Sequence, residues 1–389
     1  MLLVRNGIMK KQLKNKGAQH LQHKMALYES FLFRYLPQLS SLSFITRLNL
    51  FDLFSLHGLN RHGTQGTPFV IFNALHKQRQ HQLKQQQSLR PLTLTLLSPP
   101  AEPLANGAFE ALQQANLLSN SCRLNHWSVS AGEALKKLAL HLQKMPASEK
   151  NLLFFDLADS SVKIPDALRL LTGKKIEVIF FLPVKALWQL HLHPHKDSPL
   201  PAYRSLKQSL DQLFPAEHPY FSDEITVQDF CRYLKEAFRL EGRFYTALET
   251  GGEELSEAAL LCLSADAFMM EKMLQAFPPA QANAAPPAGQ QLGFFSSSME
   301  EPVSYTDTST LEALLSKKVD NKQLYEEGLQ AGLLPARVME GLQSLLEKGQ
   351  LEIVDEKGKR LPTIPPNCIG FTAFKAGKPG CYFNLKENI

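Results

Sequence analysis

The feature that most constrains this chain is an alternation between positions 48 and 181. Short apolar runs bounded by turn residues trade places with longer segments whose apolar residues recur at helical spacing. Leu48–Phe54, Leu92–Leu97, Arg123–Val129, Leu152–Asp156 and Ile176–Phe181 read as strands, the last ended by Pro183. Pro68–Gln87, Gly107–Ala115, Gly132–Gln143 and Ile164–Leu171 read as the helices between them. Strands alternating with helices imply βαβ units and a parallel sheet, so the expected class is α/β, Rossmann-like.

The flanks divide the rest of the chain. His23-Lys24-Met25 opens an amphipathic helix carrying Leu27, Tyr28, Phe31, Leu32 and Tyr35, which Pro37 is expected to stop. Residues 184–241 are mostly helical, with Phe230, Tyr233, Leu234 and Phe238 on one face, and read as a helical insertion. Arg243–Leu248 and Ala258–Leu263 around Gly251-Gly252 make a hairpin-like pair that finishes the sheet. Phe277–Pro302 holds five prolines and neither Lys nor Arg, the composition of a linker. Beyond it, Leu311–Leu315, Lys322–Gln330 and Pro335–Glu347 read as helices, with Asp320 as an N-cap, Gly332 as a stop and Pro335 in a first turn. Gln350–Val354 and Gly380–Leu385 add two strands, so that three helices and a hairpin give a winged-helix pattern. The expected organisation is a basic tail (1–22), a Rossmann domain (23–276, insertion about 184–241), a Pro/Ala-rich linker (277–302) and a winged-helix domain (303–389).

Composition narrows the function classes. With 44% hydrophobic and 20% charged residues the chain is ordinary globular protein, and no apolar run approaches the roughly 20 residues that span a bilayer. The Leu2-Leu3-Val4 run is broken by Arg5 and followed by four lysines, so a cytoplasmic location and no membrane association are expected. Cys122, Cys231, Cys262, Cys368 and Cys381 form no CxxC pair, and read as buried or idle thiols, with neither a disulfide framework nor a metal site. Residues 1–100 carry 13 Lys/Arg against 2 Asp/Glu, whereas the other 289 carry 29 against 35. The basic stretches Lys10–Lys24 and His76–Arg90 either meet nucleic acid or serve as a tail and a solvated helix face.

A family resemblance rests on the order of several short motifs. Lys24-x-x-Leu27 leads to Tyr35, then come Phe51-Asp52-x-Phe54-x-x-x-Gly58, Gly66-Thr67-Pro68, Phe154-Phe155-Asp156 and Glu177-Val178-x-x-Phe181. With Lys322-x-x-Tyr325 in the C-terminal part, this order resembles the three-Cys-motif partner proteins, TcmP, over most of residues 23–386. The resemblance implies a class I S-adenosylmethionine-dependent methyltransferase-like sheet, and a partner protein that carries a three-cysteine motif.

Three positions test the implied cofactor site. Asp52 and Gly58 occupy the turn after the first strand, where an adenosyl ligand needs backbone to approach closely. The family's Asp-x-Phe-Ala-Gly-x-Gly is replaced there by Asp52-Leu53-Phe54-Ser55-Leu56-His57-Gly58, and Leu56 and His57 narrow the space for the methionine moiety. The second strand ends on Ser98, where class I enzymes place a carboxylate for the ribose hydroxyls; Glu102 lies four residues on, past Pro99-Pro100. The fourth strand ends on Asp156, the candidate catalytic residue, but Leu157-Ala158 stands where the family's pattern has proline and an aromatic. Losing one hydrogen bond to a buried ligand group costs about 1 to 3 kcal/mol, so three losses predict a degenerate S-adenosylmethionine site.

His191-Leu192-His193-Pro194-His195 lacks an acidic or Cys partner nearby and reads as a solvated loop rather than a metal site. No G-x-S-x-G, Walker or HExxH motif occurs. In the third helix of the winged-helix domain, Val338, Leu342, Leu345 and Leu346 point inward, and the outward Arg337, Gln343 and Lys348 are countered by Glu340 and Glu347. Residues 303–389 carry 11 Lys/Arg against 11 Asp/Glu, so the module reads as a protein contact or a structural wing, with Lys357, Lys359 and Arg360 at its tip as the exception. Two functions follow: a binding component with a degenerate site acting with its partner, or an active methyltransferase on a nucleic acid or another amine.

Overall fold

The computed structural model describes residues 22, 24–53, 66–86, 89–100, 103–156, 164, 169, 176–193, 201–222, 224–238, 244–247, 258–277, 308–377 and 380–386. Gly58, Glu102, Leu157-Ala158, Pro194, His195, Gly251-Gly252 and nearly all of the expected tail and linker lie outside them, as does Ile164–Leu171 except at its two helical residues 164 and 169. The chain divides into two compact units: Met1–Arg243, Ala247–Ala265 and Ala276–Pro278 form one, and Phe244–Thr246, Asp266–Gln275 and Pro279–Ile389 form the other. No helix of the described residues is long and apolar enough to cross a membrane.

The larger sheet contains β1 (Arg47–Leu53), β2 (Leu92–Ser98), β3 (Arg123–Ser128), β4 (Glu149–Asp156), β5 (Glu177–Leu182), β6 (Phe244–Ala247) and β7 (Ala259–Ser264). Their order is β3-β2-β1-β4-β5-β7-β6. The five strands β1 to β5 pair in parallel, and β7 runs antiparallel to β5. Every residue of β2, β5 and β7 is buried, as a sheet covered on both faces requires. The outer strand β3 is half-exposed. Because β1 is flanked by β2 and β4, the chain direction across the sheet reverses there, and a crevice is expected at the carboxyl ends of β1 and β4.

One face carries a helix over residues 24–41. Tyr28, Phe31, Leu32, Tyr35, Leu36 and Leu39 form its buried stripe. Contrary to the sequence expectation, Pro37 does not stop this helix. Burial of Leu36 and Leu39 carries it across the missing N–H, and its last carbonyls are satisfied by the Ser41 hydroxyl on Gln38 (2.7 Å) and by Arg90 Nη1 on Leu39 (3.1 Å). The Thr67–Lys84 helix lies beside it, joined by Lys77 to Glu29 (3.5 Å) and by Lys77 over the Phe33 ring. On the opposite face Phe51 meets Trp127 and His141, the latter from the Ala131–Gln143 helix. The Pro103–Ser119 helix is longer than its expected core at Gly107–Ala115.

The N-terminal edge of the sheet is fastened by polar groups. Asn49 Nδ2 donates to Glu149 Oε2 (2.8 Å) and to Asn151 Oδ1 (3.0 Å). Glu177, 1% exposed at the start of β5, accepts from Tyr35 Oη (2.7 Å) and Ser264 Oγ (3.3 Å) and is ion-paired with Lys150. Fully buried Cys262 lies close by, and burial first, then the Glu177 charge, pushes its thiol well up.

The insertion holds the Val184–Leu192, Pro201–Asp211 and Val227–Ala237 helices and a short turn of 3-10 helix at Pro219–Phe221. His191 corrects the sequence reading: it is the penultimate residue of a helix rather than part of a solvated loop, and it stacks on Trp188 (5.6 Å, 13°) and touches Tyr220 and Phe230. Its ring completes an aromatic core, which the His-x-His spacing hid. Phe238 joins the insertion to the sheet through Phe180, ring to ring at 5.1 Å.

The second unit contains the Thr308–Leu314, Asn321–Gln330 and Pro335–Glu347 helices and an antiparallel sheet in the order β8 (Val319–Asp320), β10 (Cys381–Leu385), β9 (Leu351–Asp355). The Asp320 cap is present, its Oδ1 accepting from Gln323 N (2.7 Å). Gly332 (φ +84) ends the helix with Leu333 N donating to Gly328 O (2.8 Å). A Cβ at Gly328 would sit 3.3 Å from Val338 Cγ2, so this glycine lets two helices approach closely. The two expected strands are not joined by a tight hairpin: the Phe371–Ala376 helix intervenes, and β8 adds a third strand. Tyr325 donates to Glu271 Oε2 (2.8 Å) and Phe268 meets Phe371 (4.9 Å), so the Ala267–Ala276 helix packs within this unit.

Denaturant unfolding checks both anchors. Glu177→Ala, which leaves Lys150 without its buried acceptor, is expected to destabilise the first unit by about 3 to 5 kcal/mol and Tyr35→Phe by about 2, with Ser264→Ala costing least because its bond is longest. A Ser264→Ala effect equal to that of Glu177→Ala would contradict this hierarchy. Asp320→Ala is expected to cost the second unit about 1 kcal/mol.

Candidate functional site

The parallel register places side chains of one parity on one face. Asp52 pairs with Leu96 on one side and Phe154 on the other, Leu96 pairs with His126, and Phe154 with Ile179. One row therefore crosses five strands with Asp52 at its centre, on the face that carries the 24–41 helix. That helix runs with its N-terminus toward the carboxyl ends of the strands: Tyr35 bonds Glu177 at the start of β5, Tyr28 meets Phe154 (5.2 Å) and Phe181 (6.4 Å), and Lys24 lies over Phe181 (5.7 Å). Lys24 and Asp52 are 4% and 2% exposed. Lys24, Tyr35, Phe154, Glu177 and Phe181, separate motifs in the sequence, are thus one packing unit.

Ser98 closes β2 and Asp156 closes β4, each one residue past the partner of Leu53 in β1. Adjacent strands are about 4.8 Å apart, so the two termini flank β1 at one edge. The fold brings the sequence-identified Asp52, Ser98 and Asp156 to that edge; Gly58 lies outside the described residues.

Ser98 has a partner that the sequence reading missed. Its Oγ lies 2.6 Å from His126 Nε2, and the His126 ring packs on Phe109 at 5.0 Å. Ser98 is 5% exposed, so its hydroxyl is both covered and engaged. The signal was parity: His126 is two residues before Ser128, which pairs with Ser98, and therefore shares its face. Burial holds the His126 imidazole below the ordinary histidine range, favouring the neutral ring.

The neighbouring turns are well fixed. Val129 N donates to Ser98 O (2.9 Å), and Ser130 begins the Ala131–Gln143 helix with a capping box, its Oγ donating to Glu133 Oε2 (2.7 Å). Hydrogen bonds from the Ser130 side chain and backbone lower the Glu133 carboxyl. Across the edge, Gly66 precedes the Thr67–Lys84 helix with no side-chain cap, and Thr67 Oγ1 is buried without a hydrogen-bond partner among the described residues. This edge carries the Thr67 hydroxyl and one helix N-terminus. Among the described residues no group of three His, Cys, Asp or Glu could hold a metal ion.

Histidine protonation gives a sign. His126 is lowered by burial, and His141 by burial together with Lys144 and Lys137 against an opposing Glu149, so both are neutral in the folded chain. As pH falls through the unfolded value of about 6.5 the unfolded state takes up protons first, and stability present at pH 7 is lost from there down to the folded values. NMR titration of His126 is expected to give a midpoint below 6.5; a midpoint at or above it would contradict the buried, neutral ring.

The sequence matches no protein-family model and none of the curated proteins with which it was compared.

Proposed function

We propose that this chain is a methyltransferase-like binding component of the three-Cys-motif partner type, with a degenerate S-adenosylmethionine site, and that it works with a partner protein carrying a three-cysteine motif. The strand order β3-β2-β1-β4-β5-β7-β6, with β7 antiparallel beside β5, supports the class I methyltransferase-like part of the reading. In the second unit, the Thr308–Leu314, Asn321–Gln330 and Pro335–Glu347 helices and the three-stranded antiparallel sheet support the winged-helix part.

One observation carries the degeneracy. By the family resemblance, the position from which a carboxylate would take both ribose hydroxyls corresponds to Ser98, whose hydroxyl is buried and bonded to His126 at 2.6 Å. A ribose there must break that bond or accept a single neutral acceptor in place of a charged, two-oxygen one, and hydrogen bonds to charged groups are about twice as strong. The residues present fit the adenosyl group poorly.

Basic residues at the tip of the second unit do not favour nucleic acid as the main ligand. The turn after β9 is built by Asp355 Oδ1 accepting from Lys357 N (2.9 Å) and Lys359 N (2.8 Å), and Arg360 is paired with Glu352. That leaves two lysines at the tip, few for a salt-dependent phosphate contact.

Isothermal titration of the full chain with S-adenosylmethionine and S-adenosylhomocysteine tests the reading. Dissociation constants weaker than about 100 μM are expected, the result of losing two or three ligand hydrogen bonds. Low-micromolar binding abolished by Asp52→Ala would instead establish the active methyltransferase as the function.

A further inference from the structure

Three half-buried phenylalanines of the second unit form a row. Phe268, from the Ala267–Ala276 helix, meets Phe371 with ring centroids 4.9 Å apart, and Phe371 meets Phe374 at 6.5 Å within the Phe371–Ala376 helix. Buried Tyr325 packs on Phe374 at 5.2 Å. Asn321 holds the segment that carries the last two rings: its Nδ2 donates to the Cys368 carbonyl (2.9 Å) and its Oδ1 accepts from the Gly380 N–H (2.9 Å). Both flanks of the Phe371–Ala376 helix are thereby tied to the start of the Asn321–Gln330 helix.

Ammonium groups stand at both ends of the row. Lys272 Nζ lies over the Phe268 ring (5.2 Å) and Lys322 Nζ over the Phe374 ring (5.5 Å), and exposed Lys375 follows Phe374 in the chain. Other cations of this unit have carboxylate partners: Lys317 has Glu327, Arg337 has Glu340 and Arg360 has Glu352. Lys272, Lys322 and Lys375 have no carboxylate partner among the described residues, and Lys272 donates instead to the neutral Gln275 Oε1 (2.9 Å). The carboxylates close by are engaged: Glu271 accepts from Tyr325 and Gln275, and Asp266 from the N–H groups of Phe268 and Met269. Lys322 also stands in the first turn of its helix, where no residue is acidic and the helix dipole opposes a cation; Asp320, at the cap, is held by Gln323 N. An anion brought to this row would offset charges that the unit itself leaves uncompensated.

We propose that the row is a docking site for an acidic, apolar segment of another protein, whose apolar side chains lie on Phe268, Phe371 and Phe374 and whose carboxylates pair with Lys272, Lys322 and Lys375. Single-stranded nucleic acid suits it less, because bases stack on ring faces and the ammonium groups already cover a face of Phe268 and of Phe374. The three cations are lysines, which hold phosphate as point charges without the two-bond fork of arginine. A second copy of this chain would bring the same three lysines against them. The site belongs to the second unit and does not rest on the S-adenosylmethionine reading.

Fluorescence anisotropy of the full chain tests this with two labelled decapeptides, one of alternating glutamate and leucine and one of alternating glutamine and leucine, and with an oligothymidylate of matched charge. The glutamate peptide is expected to bind about tenfold more tightly than the glutamine peptide at low salt, with the oligothymidylate weaker than either the glutamate peptide or its competitor in displacement. Lys322→Gln combined with Lys375→Gln, both at solvent-reached positions, is expected to weaken the glutamate peptide about fivefold with an unchanged circular dichroism spectrum. Lys357→Gln combined with Lys359→Gln, at the tip after β9, is expected to leave it unchanged. Equal binding of the two peptides, or equal loss in the two double variants, overturns the proposal. So does tighter binding of the oligothymidylate that is lost with Lys322 and Lys375, which would make the row a nucleic-acid site.

Discussion

A buried carboxylate organises the first unit. Taking the Glu177 side chain out of water costs several kcal/mol, which only close compensation can offset. Lys150 from β4, Tyr35 from the 24–41 helix and Ser264 from β7 supply it, so a single group fixes the register of three elements against β5. With Tyr35 held at the N-terminal edge, the stripe of Tyr28, Phe31 and Leu32 falls along the sheet, and the start of the helix reaches the opposite edge at Lys24 over Phe181. The polar anchor is at the start of the strands, and the candidate site lies at their ends.

At those ends the geometry favours self-satisfaction over ligand binding. A ribose-binding carboxylate works because its lone pairs stay unsatisfied until the ligand arrives. Ser98 and His126 hold less in reserve, since the hydroxyl and the ring nitrogen are already engaged with each other at 2.6 Å. The Phe109 ring packs on the same imidazole and adds to the desolvation that keeps it neutral. A neutral bonded pair at the end of β2 places no buried charge there, which favours the stability of the sheet.

Much of the sheet was legible because its strands are short apolar runs between turn residues, and β1, β2, β3 and β5 begin and end within about two residues of their expected bounds. The antiparallel entry of β7 between β5 and β6 was foreshadowed only as a hairpin finishing the sheet; strand order depends on tertiary pairing, to which periodicity is blind. Pro37 misled because local propensity was outweighed by burial of Leu36 and Leu39 on the far side of it. His191 misled because one-dimensional spacing cannot separate a ligand or loop histidine from one stacked in an aromatic core. The places of Asp52, Ser98 and Asp156 near strand ends followed from the apolar runs, whereas the nearness of His126 to Ser98 required knowing that β3 lies beside β2 and in which register.

The second unit shows the same preference for internal satisfaction. Its buried polar residue, Asn321, joins two backbone segments instead of facing outward, and Tyr325 spends its hydroxyl on Glu271. On the third helix Arg337 is paired with Glu340, and Gln343 bonds Glu347, so two of the side chains best placed to read a groove are already committed. A nucleic-acid reader needs donors that remain available to base edges and phosphates. Desolvating these pairs against DNA would cost their existing bonds. The charge balance of residues 303–389, 11 basic against 11 acidic, points the same way: this stretch has no net charge to draw in a polyanion.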